Sequence, residues 1–394
     1  MADTYTVKNK KQGFFSKLGN SFASIPLGII IVIFGCIVLW NSEKKNVINI
    51  KDVKEMRENV NNVSSAEIDK TKEGKLIATK GNLDFGNEVL VDSTFGISVI
   101  KPILVRNVEI YQWTETSKTE DDKTTYTYNK EWTSKPVDSA NFAEKTGHEN
   151  KSTTLKYVKE EKVAKTLKVG AYTLSESFKD HLTASNELLE LEPGVALPEG
   201  YTVSGKYITN SVDVNNPAVD DVRIWYTYGN YEYVSVLGKQ SGSTIEGYET
   251  AKGSTISKLV EGDKSGTQMI DAIESGNKMW KWMTRLFGVI LVCMGMSMIL
   301  SPLTTLIGAI PFLGKIVNGA IGVVSASVGF AISLIVIGVA WLVYRPILGI
   351  ALIVVSVGLI VLAKMYVSKK NDGKTPEVTQ TVTEEKEEEN KEEN

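Results

Sequence analysis

Histidine and cysteine are nearly missing: the 394 residues hold two of each. His148 and His181 belong to no metal-ligand or nucleophile pattern. None of H-E-x-x-H, C-x-x-C, G-x-S-x-G or G-x-x-x-x-G-K-[ST] occurs. No metal, cofactor or catalytic residue is therefore expected, and the chain does not read as an enzyme. Cys36 and Cys293 both fall in apolar stretches, so no disulfide framework staples the polar part. Net charge is only −3, and no nucleic-acid partner is expected.

Charge is also missing from four long runs, and this decides the class. Residues 25–40 carry no charge, and Phe22 and Ala23 extend them toward the roughly 20 residues a hydrocarbon core needs. Lysines precede this run, but no small-x-small cleavage pattern follows it, so it reads as an uncleaved signal anchor. Trp40 ends it, where an interfacial aromatic belongs. Residues 286–300, 321–344 and 347–363 form three more uncharged runs. Four membrane helices are expected, at 22–41, 282–300, 320–344 and 346–366. The piece between the second and third, 301–319, is apolar but broken by Pro302, Pro311 and Gly314, and reads as interfacial or re-entrant. Arg345-Pro346 leaves no room for a loop, so the last two helices turn back sharply there, with proline at a first helical turn.

Four crossings put both termini on one side. Lysines flank both faces, so the positive-inside rule gives no clean vote. The acidic tail, 367–394, suits a disordered cytoplasmic end, as does the N-terminal segment 1–21. The polar stretch 42–281 is then extracytoplasmic or lumenal. The fold class expected is an α+β membrane protein with a large β-rich domain. Intramembrane ionisable residues mark ion and proton pathways, and their absence argues against transport. Gly322, Ser325, Gly329 and Ser333 instead form a small-residue seam in the third run, a pattern that favours helix association within or between chains.

Within the domain, residues 43–75 read as a short helix or linker, and 74–79 as a strand. Residues 104–115 and 124–133 form the clearest strand pair, with Tyr126, Tyr128 and Trp132 alternating against Thr125, Thr127, Asn129 and Glu131. Residues 222–228 and 231–237 read as a second hairpin across Gly229-Asn230. Residues 108–111 resemble 222–225, a hint of duplication. Residues 267–285 read as a helix running into the second span. The region 150–220 has no clear pattern.

Several stretches together resemble one family. They are Val108-Glu109-Ile110-Tyr111-Gln112-Trp113, the Tyr126-to-Trp132 stretch, Asn141-Phe142, Gly147-His148-Glu149-Asn150, the 169–175 stretch, Pro217 with Val219-Asp220-Asp221-Val222-Arg223, and the stretch ending in Arg345-Pro346. The chain resembles the LUMA, or transmembrane protein 43, family over nearly its whole length. The resemblance implies one N-terminal and three C-terminal spans and a lumenal domain. It also implies the endoplasmic reticulum or inner nuclear membrane in a eukaryote, or the plasma membrane in a bacterium. It supplies no catalytic residues. Glu109, Tyr111, Gln112, Trp113, Tyr126, Tyr128, Glu131, Trp132, His148, Asn150 and Arg223 are its motif positions. The function expected is a membrane scaffold that self-associates and organises other membrane proteins. The alternatives are an accessory subunit of a channel or transporter, and a ligand-sensing or enzymatic domain using the face of Glu109, Tyr111, Trp113 and His148.

Overall fold

The computed structural model describes residues 3–8, 13–120, 123–185, 187–192, 194, 196–308, 314–347, 349–351 and 354, and the side chains of all these but 308 and 314–321. Three long helices carry the apolar runs: α1 (Phe14–Asn59), α2 (Gly266–Gly308) and α3 (Gly314–Tyr344). Each is long and apolar enough to cross a membrane. The fourth expected span begins as helix at Pro346-Ile347, and most of it lies outside the described residues.

α1 and α2 are longer than their apolar runs. No glycine or proline falls between Gly35 and Gly74, so nothing stops the helix at the end of its run. It continues to Asn59 and ends where Val60 turns extended. α2 likewise begins at Gly266, well before its apolar part. The two pair antiparallel because small residues let their backbones meet. A Cβ on Gly28 would lie 2.8 Å from the Gly295 carbonyl, and one on Gly295 would lie 2.7 Å from the Gly28 carbonyl. Gly35 against Val292 and Gly288 against Leu39 repeat the contact a turn or two along. The break expected at Pro302 does not occur: α2 runs through it to Gly308. Proline leaves the carbonyl four residues back without its helical donor. Here that carbonyl, on Met298, accepts a bond from Ser24 Oγ of α1 at 3.0 Å.

The strands thus ride on a two-helix stalk formed by the polar ends of α1 and α2. They are β1 (Asp3–Lys8), β2 (Asn61–Asn62), β3 (Leu76–Asp84), β4 (Leu90–Asp92), β5 (Ile97–Val99), β6 (Ile103–Glu120), β7 (Lys123–Thr133), β8 (Glu160–Val163), β9 (Leu167–Val169) and β10 (Tyr172–Leu174). They continue with β11 (Thr202–Ser204), β12 (Tyr207–Thr209), β13 (Val222–Gly229), β14 (Tyr233–Ser241), β15 (Thr244–Glu246), β16 (Tyr248–Glu249), β17 (Thr255–Ile256) and β18 (Lys258–Glu261). One sheet runs β1-β7-β6-β13-β12-β11, with β8 beside the start of β6. In the other, β3, β14, β15, β10 and β9 pair in a closed ring, flanked by β18 and β2. Ile77, Leu83, Val169, Tyr172, Phe178, Val236 and Ile245 fill its core. Val53 and Met56 of α1 and Met269 and Ile270 of α2 pack on this ring with Leu76, Ala78 and Leu237. The base of the domain is therefore fixed to the stalk.

Two strand expectations change. The expected hairpin 222–237 is not one: β13 pairs with β6 and β12, and β14 pairs with β3, in separate sheets. Gly229 lies at the crossing, where a Cβ would sit 2.5 Å from Ile103 Cγ2. Alternation identifies strands but not their partners. The two similar segments pair with each other, Arg223 opposite Glu109 and Ile224 opposite Val108. The second change is a strand within residues 1–21, a segment expected across the bilayer from the domain. Asp3–Lys8 pairs antiparallel with the outer edge of β7, Asp3 opposite Tyr128 and Lys8 opposite Lys123.

Candidate functional site

Most of the motif positions on the first sheet share one face, Gln112 and Glu131 lie on the other, and that other face makes the core. Val108, Ile224 and Tyr226 point inward with Leu104 and Ile208, and Ile110 is buried too. Glu109, Tyr111, Trp113, Trp132, Arg223 and Trp225 stay half-buried on the opposite side. Of the aromatic alternation, Trp132 and Tyr126 are half-buried on this face, whereas Tyr128 is fully buried beneath a loop. Arg223 organises it. Its guanidinium lies over Trp132 at 4.4 Å, Tyr207 at 5.4 Å and Trp225 at 5.6 Å. Its Nη2 donates to Glu109 Oε2 at 2.6 Å, directly across the strand pair. Tyr111 tilts against Trp132 at 5.3 Å.

The remaining motif residues hold a loop onto this sheet. Asn150 accepts from Trp113 N at 2.8 Å and donates to Trp113 O at 2.9 Å and Val137 O at 3.1 Å. Gln112, fully buried, donates to Lys135 O at 2.8 Å and accepts from Val137 N at 3.1 Å. These two amides peg residues 135–150 to β6. The buried His148 then stacks on Tyr128 at 3.9 Å, with Trp113 edge-on at 4.7 Å and Asp3 Oδ2 at 3.3 Å. Burial, then the bond from its hydroxyl to Glu115, pushes Tyr128 up to about 12. Glu131 accepts from Thr114 Oγ1 at 2.7 Å, and Tyr126 faces Tyr5 of β1.

A second constellation, absent from the sequence expectations, forms a collar where the helices leave the apolar zone. Glu43 of α1 is fully buried. Its carboxylate accepts from Arg285 Nε of α2 at 2.5 Å and from Trp341 Nε1 of α3 at 2.8 Å, so one anion joins three helices. Arg285 also lies over Trp282 and Trp341, at 5.1 and 5.8 Å. Trp40 and Tyr344 stack edge-on nearby at 5.5 Å. Arg345 interrupts the helix after Tyr344, and its Nη2 is buried without a partner among the described residues. Pro346 resumes helical structure, and Gly349 returns close to Leu342. The sequence signal for the collar was the first charge after each apolar run, Glu43 and Arg345, and the last before one, Arg285.

Of the small-residue seam, Ser325 and Ser333 are buried and Gly329 abuts Cys293 of α2, where a Cβ would lie 2.7 Å from the Cys293 Cα. Gly322 faces open space. The seam therefore packs α3 onto α2 of the same chain.

The profile of one family, Transmembrane protein 43, matches residues 110–346, more than half of the chain. The chain belongs to the Transmembrane protein 43 family. The match takes in nearly all of the aromatic–arginine face, with α2 and α3; Glu109 and Glu43 lie outside it. Transmembrane protein 43 of Mus musculus is 26% identical over 359 residues, covering 85% of this chain and 88% of its own. The Homo sapiens protein of that name is 26% identical over 382 residues, 89% of this chain and 93% of its own. The Drosophila melanogaster homolog is 27% identical over 346 residues, covering 83% and 90%. No solved structure matches. The chain is thus an α+β membrane protein of this family.

Proposed function

We propose that this family member is a non-enzymatic membrane scaffold that gathers further copies and other membrane proteins on its aromatic–arginine face. The domain stands on the extracytoplasmic or lumenal side, in the endoplasmic reticulum or inner nuclear membrane of a eukaryote or the plasma membrane of a bacterium. The observation that carries the reading is the face itself. Tyr111, Trp132, Tyr207 and Trp225 stand half-exposed around one arginine. Trp, Tyr and Arg dominate the residues that hold protein interfaces together. The charges there are already matched, Arg223 by Glu109, and Gln112 and Asn150 are committed to backbone partners. Such an arrangement suits docking better than acid–base chemistry.

The test is native mass spectrometry of the protein extracted gently from its own membrane, with Arg223→Ala and Trp225→Ala beside the wild type. The wild type should appear in homo-oligomeric or partner-bound species that both substitutions deplete at least tenfold. A wild type that is monomeric and alone would sink the scaffold reading. Complexes of fixed stoichiometry with one polytopic protein, indifferent to the face, would make the chain an accessory subunit instead.

A further inference from the structure

Just beyond its apolar stretch, the α1–α2 pair opens into a groove. Two adjoining cavities of about 290 and 390 Å³ lie along it. The lower is walled on the membrane side by Phe34, Ile37 and Val38, and above them by Asn46, Lys45 and Lys281. Asn46 lines both cavities. Its residue is 7% exposed, and its Nδ2 has no hydrogen-bond partner among the described residues. A buried donor left unmade is costly, so the site lacks an acceptor. Lys45 and Lys281 have no carboxylate within ion-pair distance among the described residues, whereas the cations further out do: Lys54 has Glu58, and Arg57 and Lys278 share Glu274.

The height of these groups matters. Lys45 lies one helical turn past Asn41, about 6 Å along the axis. The headgroup layer on each face of a bilayer is about 5–8 Å thick. The groove is therefore apolar where acyl chains lie, and cationic with a vacant amide donor where phosphates lie. Trp280 beside it is an interfacial aromatic.

We propose that this groove binds one anionic phospholipid, its acyl chains against Phe34, Ile37 and Val38 and its phosphate held by Lys45, Lys281 and the Asn46 amide. The proposal stands apart from the scaffold reading, because it uses the stalk and not the aromatic face. Two lysines outside any ion pair among the described residues set a preference for negative headgroups over zwitterionic ones. The amide donor adds a contact that charge alone does not supply.

The experiment is a native mass spectrometric titration of delipidated full-length protein in detergent with dioleoyl-phosphatidylglycerol or dioleoyl-phosphatidylcholine. One phosphatidylglycerol should be retained per chain in preference to phosphatidylcholine. Lys45→Gln with Lys281→Gln should weaken that binding about thirtyfold, on the scale of two lysines at a charged surface. Asn46→Leu should weaken it with both lysines intact. The pair Lys45→Arg with Lys281→Arg should keep it, and so should Lys206→Gln with Lys252→Gln on the domain surface. Equal binding of both lipids, or undiminished binding by the glutamine pair, would overturn the proposal. So would displacement of the lipid by millimolar inorganic phosphate, which would make the site one for a soluble phosphate. Should the glutamine pair misfold, the arginine pair and Asn46→Leu still decide.

Discussion

Asp92 of β4 and Arg106 of β6 form a buried pair beneath the outer face. Arg106 Nη1 donates to Asp92 Oδ2 at 2.6 Å, and the Tyr226 hydroxyl donates to the same oxygen at 2.7 Å. Thr94 N fills the other oxygen at 3.0 Å, and Glu160 takes Arg106 Nη2 at 2.8 Å. Burial by itself would raise the Asp92 carboxyl, but the Tyr226 hydroxyl, the Thr94 amide and Arg106 outweigh it and hold it below the usual range. A carboxyl held low in the folded state stabilises at pH above its unfolded value, near 4, and loses that contribution as pH falls through the folded value. Asp92→Asn should therefore destabilise the domain at neutral pH by about 3 kcal/mol, the scale for a buried cation deprived of its partner. It should also flatten the acid limb of stability below about pH 4. Thermal unfolding followed by circular dichroism across pH checks both. Nothing in the sequence pattern pairs Asp92 with Arg106: one closes a short hairpin with β5, the other lies on β6, and only the fold brings them together.

Among the elements, those defined by long periods were the most legible. The apolar runs of α1, α2 and α3 and the alternation of β6 and β7 stand in the sequence much as they stand in space. What the pattern did not carry was how each element ends and what it touches. α1 outlasts its apolar run because nothing in residues 41–59 breaks a helix. α2 survives Pro302 because a serine on another helix supplies the missing donor. Gly28 and Gly35, and Gly288 and Gly295, are spaced seven apart, as are Gly322 and Gly329; the former four make the close contact of α1 with α2. The two glycines of α3 separate cleanly by experiment. Gly329→Leu would drive a side chain into the Cys293 backbone, whereas Gly322→Leu meets nothing within 4 Å. The first should cost about 1–3 kcal/mol, and the second close to none. Thermal unfolding in detergent by tryptophan fluorescence reads the difference. Equal effects would mean that α3 does not dock on α2 by this face.

Over the whole molecule, β1 and the first span compete. Lys8 lies six residues from Phe14, so the tip of the β6–β7 hairpin is within about 20 Å of the start of α1. A bilayer around the apolar part of α1 separates that start from the stalk end. The six-residue edge pairing contributes a few kcal/mol at about 1 kcal/mol per bond. Transferring some sixteen apolar residues into lipid contributes tens, at about 1.5 kcal/mol or more for each large side chain. Insertion of α1 is favoured by that margin, and it would detach β1 and open the edge of β7. Thr4→Cys and Lys252→Cys, labelled with an impermeant maleimide in sealed vesicles, should react from opposite faces. Reaction from the same face would keep β1 on the domain and deny α1 its crossing.

The stalk has a mechanical consequence. Between Asn41 and Asp52, where Ser254 bonds the helix, α1 rises about 17 Å with no hydrogen bond to the domain among the described residues. Out to Asn59 the arm is about 27 Å long. Membrane helices tilt to match the thickness of their bilayer. A change of about 10° at the foot of this arm swings its tip sideways by about 5 Å, because Val53, Met56, Met269 and Ile270 clamp the domain to it. Any tilt at the foot of this arm would therefore be carried, enlarged, to the aromatic face at its far end.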